Sequence, residues 1–353
     1  MYNKKIKELY SNYALVRKRA KAIRTRTINE LEDYLKFFEQ RFTENLGRIE
    51  WAESKDVLYS KIDTFVKKNS FERYAYDPKS CYVSEIAEKY EKHPYYKFST
   101  DTPTDKDIPV VVEADYLLAD TGSIVFLDNK ALSKIKKLKQ VVVVATIDKV
   151  VSSMKELLCL SELYAINRYG RKQISNLLLL NNSEKVEITL FLLDDKESIL
   201  LSQPEQRAAL YCIHCGNCSQ VCPIKNGHTP IDKIKQPFVS EKEEDIIDSK
   251  RTTLCRECDK YCPMNIPISD LLIQNRNYFS EEMPEYQLYN KAQMMFINHQ
   301  TSNKSVFPSF MQKPIMLKGF FGENEGMYNL LKEKLKQKSF RSQEIQKEKN
   351  AQK

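Results

Sequence analysis

The chain has 353 residues, of which 42% are hydrophobic, so it is long enough to form two or three domains with sizeable cores. No stretch approaches the roughly 20 apolar residues of a membrane-spanning helix, and the first residues lack the apolar core of a signal peptide. We therefore expect a cytoplasmic protein without a transmembrane segment. The net charge of +8 is uneven, with +8 on residues 1–26, +5 on residues 331–353 and −5 between them. Basic ends are typical of solvated helices and tails, although they also suit nucleic acid, anionic lipid or an acidic protein.

The chain is predicted to begin with a basic helix over residues 1–26, which a second helix follows. Thr27 and Glu30 form a T-x-x-E capping box, which predicts that the second helix starts at Thr27. Gly47 fits the C-terminal stop of this helix. The apolar residues that recur at helical spacing between these ends are Ile28, Leu31, Leu35, Phe38, Phe42 and Leu46.

Strand-like and helical segments then alternate up to about residue 200. Val141–Ala145 is a continuous apolar run of the type found in buried parallel strands, and a helix from Ile147 to about Asn167 follows it. The alternation predicts an α/β Rossmann-like domain over residues 27–200. Further strands are predicted at Arg48–Trp51, Val110–Val112, Tyr116–Ala119, Ser123–Leu127 and Val186–Leu193, and further helices near Val57–Val66 and Val83–Tyr90.

The cysteines are concentrated in one region. Seven of the nine lie between Cys212 and Cys262, and such clustering in a chain without an export signal indicates metal binding rather than disulfides. The first run, from Cys212 to Cys222, reads C-x2-C-x2-C-x3-C-P, which is the spacing of bacterial ferredoxins. In that motif three cysteines bind one cluster and the fourth binds the other, while a glycine such as Gly216 lets the backbone pass close to sulfur.

The second run reads C-x2-C-x3-C-P and is one cysteine shorter. By the same crossover, its last cysteine returns to the first cluster. The sequence therefore predicts two iron–sulfur clusters. The ligands of cluster 1 are Cys212, Cys215, Cys218 and Cys262, and those of cluster 2 are Cys222, Cys255 and Cys258.

Cluster 2 has one thiolate fewer than the four that a 4Fe-4S cluster usually takes. It is either a 3Fe-4S cluster or a 4Fe-4S cluster with a non-cysteine ligand or an open iron. Glu257 and Asp259 are candidates for a weak oxygen ligand, and Cys81 is a remote candidate for a fourth thiolate. Cys159 lies in an apolar segment and is expected to pack in a core.

The alternative metal is zinc, bound by four thiolates on two C-x2-C pairs with a long insert between them. That arrangement leaves Cys218, Cys222, Cys262 and both Cys-Pro dipeptides without a role. His214 stands between two ligands and is expected to face solvent or a neighbouring domain. The zinc ligands would be Cys212, Cys215, Cys255 and Cys258.

A composition break at Ser202-Gln203-Pro204 separates the α/β domain from the cysteine-rich region. We expect a mainly α-helical, dicluster ferredoxin-type domain over residues 201–275. The remaining residues, 276–353, are polar and rich in Lys, Gln and Glu, and are predicted to be a partly disordered C-terminal extension.

Three blocks of this sequence resemble the lactate-utilisation protein B family. Residues 26–52 are similar to its opening helix and strand, and Ala119–Ser123 is similar to its A-E-T-G-T turn, with Asp in place of Glu. Residues 201–223 and 253–267 resemble its two cysteine blocks, including the short second run. The segment between Phe71 and Val110 is shorter than in the family.

The resemblance implies an α/β domain of the CoA-transferase and sugar-isomerase-like type, known as a LUD domain, followed by the dicluster domain. It also implies an electron-transfer subunit, with no catalytic residues of its own, in a complex that oxidises L-lactate to pyruvate. One alternative is an enzyme that acts on a CoA ester or phosphorylated sugar near Asp120-Thr121-Gly122, since open α/β sheets bind ligands at strand ends. Another is a cluster-dependent regulator, although no nucleic-acid-binding module is recognisable and we expect no nucleic acid partner.

Overall fold

A computed structural model gives the fold of the protein. Its contacts divide the chain into two units, of which the first comprises Met1–Cys222, Phe238–Ser240 and Glu257–Ile266, and the second comprises Pro223–Pro237, Glu241–Arg256 and Pro267–Lys353. The domain boundaries expected at residues 26, 200 and 275 remain predictions. The structure describes residues 12–69, 71, 74–77, 80, 82–85, 95–97, 108–129, 131–181, 186–195, 197–224, 228–240 and 243–279.

The strands form two sheets, both in the first unit. In chain order the strands are β1 (Arg48–Ala52), β2 (Tyr74–Tyr76), β3 (Tyr95–Lys97), β4 (Val110–Glu113), β5 (Tyr116–Leu118), β6 (Ser123–Leu127), β7 (Gln140–Thr146), β8 (Val150–Val151), β9 (Leu177–Leu180) and β10 (Glu187–Leu193). The larger sheet has the order β1-β10-β7-β4-β2-β3 and all its paired strands are parallel. The smaller sheet has the order β8-β5-β6-β9.

The helices account for most of the remaining described residues. They are α1 (Tyr13–Asn29), α2 (Leu31–Glu44), α3 (Lys55–Lys68), α4 (Met154–Tyr169), α5 (Glu197–Ser202), α6 (Asn217–Val221), α7 (Asp232–Ser240), α8 (Glu243–Lys250), α9 (Glu257–Tyr261) and α10 (Ile268–Tyr278), with 3₁₀ segments at Ala131–Lys137, Ile147–Lys149 and Arg207–Tyr211. None of the described helices is long and apolar enough to cross a membrane.

The parallel sheet confirms the predicted α/β architecture. Residues 141–146 of β7 are all buried, as the continuous apolar run predicted, because β7 pairs on both sides with β4 and β10 and has neighbours above and below. Helix α3 packs on one face of this sheet. Leu58, Ile62, Phe65 and Val66 of this helix form a buried cluster with Phe191 and other sheet residues.

The predicted capping box at Thr27 is wrong. Helix α1 continues through Thr27 to Asn29, and the Thr27 hydroxyl donates to the carbonyl oxygen of Ile23 at 2.9 Å inside that helix. Helix α2 begins only at Leu31. The apolar stripe was predicted correctly, since Ile28, Leu31, Leu35, Phe38 and Phe42 are all buried.

The end of α2 also differs from the prediction. The helix ends at Glu44, and Leu46 lies beyond it, 78% exposed, with a left-handed φ of +63°. Gly47 does not take that conformation. It lies against the Phe42 ring, where a β-carbon would clash, so the close approach explains the glycine here.

Two further expectations need correction. The helix predicted from Ile147 begins at Met154, because residues 147–151 form a 3₁₀ turn followed by β8. The Asp120-Thr121-Gly122 turn joins the antiparallel strands β5 and β6, so it lies in the smaller sheet and not at the edge of the larger one. Its Gly122 packs against the backbone of α2.

Polar side chains of α10 bond to other segments of the second unit. Arg276 is fully buried and donates to the Lys250 carbonyl oxygen at 2.7 Å, and Asn275 donates to the Ile234 carbonyl oxygen at 2.9 Å. Both residues lie in the last turns of α10, which ends at Tyr278. Residues 280–353 lie outside the described part of the chain, as does Cys81.

Two glycines with left-handed backbone offer a matched test of the α2 contact. Gly122 has φ of +63°, and a β-carbon there would lie 2.5 Å from the Phe42 nitrogen and 2.6 Å from the Arg41 carbonyl carbon. Gly170 has φ of +68° and no atom within 4 Å of such a β-carbon. We expect Gly122→Ala to lower the free energy of unfolding by about 3 kcal/mol, because strain and clash add, and Gly170→Ala by about 1 kcal/mol. Urea unfolding measures both, and equal losses would contradict the close contact.

Candidate metal centre

The two cysteine runs approach each other in the first unit through two short helices. Cys218 lies in α6 and Cys222 follows it, while Cys258 lies in α9 and Cys262 follows that helix. Helices α6 and α9 pack against each other. All cysteines among the described residues are free thiols.

Three of the four predicted ligands of cluster 1 are buried. Cys215 and Cys262 are each 6% exposed and Cys218 is 9% exposed, whereas Cys212 is partly exposed. Burial, together with the nearby thiols of Cys212 and Cys262, raises the pKa of the Cys215 thiol to about 12. The thiols of Cys212 and Cys262 therefore both lie within electrostatic range of the Cys215 thiol.

The backbone around these cysteines points N–H groups at sulfur. The His214 N–H donates to Cys212 Sγ at 3.3 Å, and the Ile266 N–H donates to Cys262 Sγ at 3.5 Å. The loops achieve this through left-handed residues, with φ of +53° at His214 and +79° at Gly216. Hydrogen bonds of this kind to the sulfur ligands help to set the reduction potential of iron–sulfur clusters.

An amide network joins these loops to the α/β domain. The Asn167 side-chain oxygen accepts from the Tyr13 hydroxyl at 2.9 Å and from the Asn217 amide at 2.8 Å. The same Asn217 amide donates to the Tyr261 carbonyl oxygen at 3.3 Å. Asn167 and Asn217 are both at least 98% buried, so α1, α4, α6 and α9 meet at one desolvated polar point.

A second set of contacts joins helix α1 to the segment that precedes Cys212. Arg24 of α1 is 1% exposed and donates to the carbonyl oxygens of Asp148 at 2.8 Å and Leu210 at 2.5 Å. The Asp148 carboxylate is 3.9 Å from Arg24 and 4.0 Å from His214 Nε2. His214 is 41% exposed, so it faces both solvent and the α/β domain, as its position in the motif suggested.

The donor set fits an iron–sulfur cluster. A buried thiol with a raised pKa stays protonated in the absence of metal, and bound iron supplies the positive charge that makes it a thiolate. Within the described ranges, no three His, Cys, Asp or Glu side chains converge as one metal ion would require. In a cubane cluster each thiolate binds a different iron. The ligands of such a cluster are therefore spread around the cluster and do not converge on one ion.

The predicted ligands of cluster 2 are less enclosed. Cys222 and Cys258 are partly exposed, and Cys255, which belongs to the second unit, is exposed. Of the two candidate oxygen ligands, Asp259 has its carboxylate 3.9 Å from Cys258 Sγ, whereas Glu257 pairs with Lys260 at 3.6 Å. Asp259 is therefore the better placed of the two.

Cys159 and the Asp120-Thr121-Gly122 turn both lie outside the cysteine runs, and only Cys159 borders the groove between α1 and α4. Cys159 is a buried residue of α4, as expected for core packing, and borders a groove of about 640 Å³ in the first unit. The groove lies among α1, α4 and residues 172–177, and Asp120-Thr121-Gly122 does not line it. The predicted substrate turn therefore has no place in this groove.

Comparison with curated proteins finds relatives named Lactate utilization protein B. No family model matches the chain. Lactate utilization protein B of Bacillus cytotoxicus is 25% identical over 233 residues, which are 61% of this chain and 49% of that protein. The protein of the same name from Bacillus cereus strain B4264 is 25% identical over 215 residues, 56% of this chain and 45% of its own length. The chain thus spans about half the length of the curated relatives it matches.

A solved structure shows a weaker likeness. A DUF162 family protein from Deinococcus radiodurans aligns with 46% of this chain and 98% of its own, at 15% sequence identity and a TM-score of 0.33. A TM-score of this size does not establish a shared fold.

The amide network makes a graded prediction. Asn167→Ala removes the acceptor of the buried Asn217 amide and of the partly buried Tyr13 hydroxyl, so it should lower the free energy of unfolding by about 3 kcal/mol. Tyr13→Phe removes one donor and leaves Asn167 bonded to Asn217, so it should cost about 1 kcal/mol. Urea unfolding of the metal-free protein measures both. Equal, small losses would show that the network does not hold the cysteine loops.

Proposed function

We propose that this protein is an iron–sulfur electron-transfer protein of a lactate-utilisation system. The observation that carries the proposal is the pair of buried thiols of Cys215 and Cys262. Backbone N–H groups donate to these thiols, and Cys262 interacts electrostatically with Cys215. Cluster 1 is assigned to four thiolates from both runs. Its ligands are Cys212, Cys215, Cys218 and Cys262.

The chain's own residues supply three things to such a cluster. The thiolates bind iron, the backbone N–H groups of His214 and Ile266 stabilise sulfur charge, and burial excludes water. When bound, a 4Fe-4S cluster accepts and returns single electrons at a potential that these surroundings set. The protein thus acts as a relay and needs no acid–base residue.

Cluster 2 is proposed on the ferredoxin spacing of the sequence. It is a 4Fe-4S or 3Fe-4S cluster on three thiolates, with Asp259 as the oxygen donor nearest to them in the described part of the chain. Where the fourth position is open or holds water, the missing thiolate removes negative charge, so cluster 2 should then be easier to reduce than cluster 1. The three thiolates are those of Cys222, Cys255 and Cys258.

The biological setting of the proposal comes from the relatives. Proteins named Lactate utilization protein B match 56–61% of this chain at 25% identity. We propose that this chain passes electrons within a complex that oxidises L-lactate to pyruvate, with other subunits as donor and acceptor. No described feature favours an enzyme acting on a CoA ester or phosphorylated sugar.

Cysteine variants of the full chain test the clusters. After anaerobic reconstitution, Cys215→Ser should lose cluster 1, with about half of the bound iron and the corresponding EPR signal gone, because the serine replaces a buried thiolate ligand. Cys159→Ser is the matched control, since it also removes a buried thiol but lies in α4. It should bind as much iron as the wild type.

The same pair tests the lactate role in the host. A strain that lacks the gene should grow poorly on L-lactate and normally on glucose, and Cys159→Ser, but not Cys215→Ser, should restore growth. Equal iron binding by both variants would overturn the ligand assignment. If the wild-type protein binds iron fully but the deletion strain grows normally on L-lactate, the lactate role would be refuted, and the protein would transfer electrons in another system.

The unequal ligand sets predict how the clusters respond to oxygen. The iron without a thiolate in cluster 2 should leave first, so brief air exposure should produce the EPR signal of an oxidised 3Fe-4S cluster before all iron is lost. Cys222→Ser should abolish this signal and Cys215→Ser should not. Iron loss without the signal would indicate a fourth strong ligand, with Cys81 the first to test.

A further inference from the structure

The basic helix α1 does more than present charge to solvent. Its residue Arg17 binds the loop that follows the last cysteine, with Nε donating to the Pro263 carbonyl oxygen at 3.0 Å and Nη2 donating to the Cys262 carbonyl oxygen at 2.6 Å. Nη2 also donates to the side-chain oxygen of Asn265. One guanidinium thus binds three acceptors within four consecutive residues.

This loop has the conformation that directs N–H groups at sulfur. Asn265 takes a left-handed φ of +52°, which turns the chain so that the Ile266 N–H reaches Cys262 Sγ at 3.5 Å. The carbonyl groups of Cys262 and Pro263 point the other way, to Arg17. Arg17 therefore binds the side of the loop opposite to the sulfur and stabilises its curvature.

The charge of Arg17 also reaches the ligand itself. Nη2 donates to the carbonyl oxygen of Cys262 at 2.6 Å, so the positive charge lies next to the residue whose thiolate would bind the cluster. A positive charge that stabilises a thiolate also stabilises an electron added to the cluster that the thiolate binds. Arginine keeps its charge at every accessible pH, so this effect is permanent.

Arg17 differs in this respect from its neighbours on the helix. The buried Arg24 lies 3.9 Å from the Asp148 carboxylate, which compensates its charge. Across the described residues, Arg17 has carbonyl and amide acceptors but no carboxylate ion-pair partner. Arg19, two residues further on, lines the groove beside Cys159.

We propose that Arg17 is a positioning residue for cluster 1, which fixes the loop from Cys262 to Ile266 and raises the reduction potential of the cluster through its uncompensated charge. This inference rests on the proposed function, since it presupposes a cluster on these cysteines. It gives the basic N-terminal helix a defined electrostatic role.

Potentiometric titration of the anaerobically reconstituted full chain, followed by EPR, tests the inference. Arg17→Gln should make cluster 1 about tenfold harder to reduce, a shift of about 59 mV to lower potential for one electron. Arg19→Gln removes the same charge from the same helix and is the matched control, so its shift should be less than a third of that. Arg17→Lys keeps the charge and should stay within about threefold of the wild type.

The outcomes separate this inference from the proposed function. A wild-type chain without clusters would refute the proposed function itself. Clusters in all variants, with Arg17→Gln unchanged or shifted only as much as Arg19→Gln, would overturn the role of Arg17 and leave the proposed function intact. If Arg17→Gln does not assemble clusters, Arg17→Lys decides, because a tenfold shift in that variant would overturn the charge effect.

Discussion

A buried thiolate needs positive charge and N–H donors around it, because water no longer solvates its charge. In this protein the requirement applies to Cys215 and Cys262, because each is only 6% exposed to water. The surroundings meet it in part through backbone N–H groups and the guanidinium of Arg17. Iron would supply the rest. Helices α1 and α4 bring side chains that hydrogen-bond to the two cysteine runs.

Helix α1 uses two sets of side chains, one that packs in the apolar core and one that bonds to the cysteine-containing segments. Its apolar residues, such as Ile23 and Ile28, are buried, while Arg17 and Arg24 donate to carbonyl oxygens of the cysteine-containing segments. These side chains thereby fix the loops that carry the predicted ligands of cluster 1. A composition break near Ser202 marks where the sequence character changes, yet hydrogen bonds from both α1 and α4 continue beyond it.

The features that the sequence revealed are those with local or periodic signals. The apolar run of Val141–Ala145 predicted a buried parallel strand, which the structure has, whereas the cluster ligands read from the cysteine spacing stay a prediction. The capping box at Thr27 misled because the T-x-x-E pattern also occurs inside a helix, where the threonine can bond to the preceding turn. Leu46 fitted the helical period but lies past the helix end.

Contacts between residues far apart in the chain left no such signal. Tyr13 and Asn167 are 154 residues apart, and Arg17 and Cys262 are 245 apart, so neither periodicity nor spacing relates them. The short strands β2 and β3 also escaped prediction, since three residues carry too little pattern. Only the folded arrangement shows that the basic N-terminal helix is a partner of the cysteine loops.

The central claim is that the seven cysteines hold two clusters of unequal ligation, and Mössbauer spectroscopy of the reconstituted wild-type chain tests it most directly. We predict two cubane-type components, one with all irons bound by thiolate and one with either a distinct, differently ligated iron or only three irons. A spectrum of isolated iron ions with four thiolates each, or stoichiometric zinc in place of iron, would contradict the account.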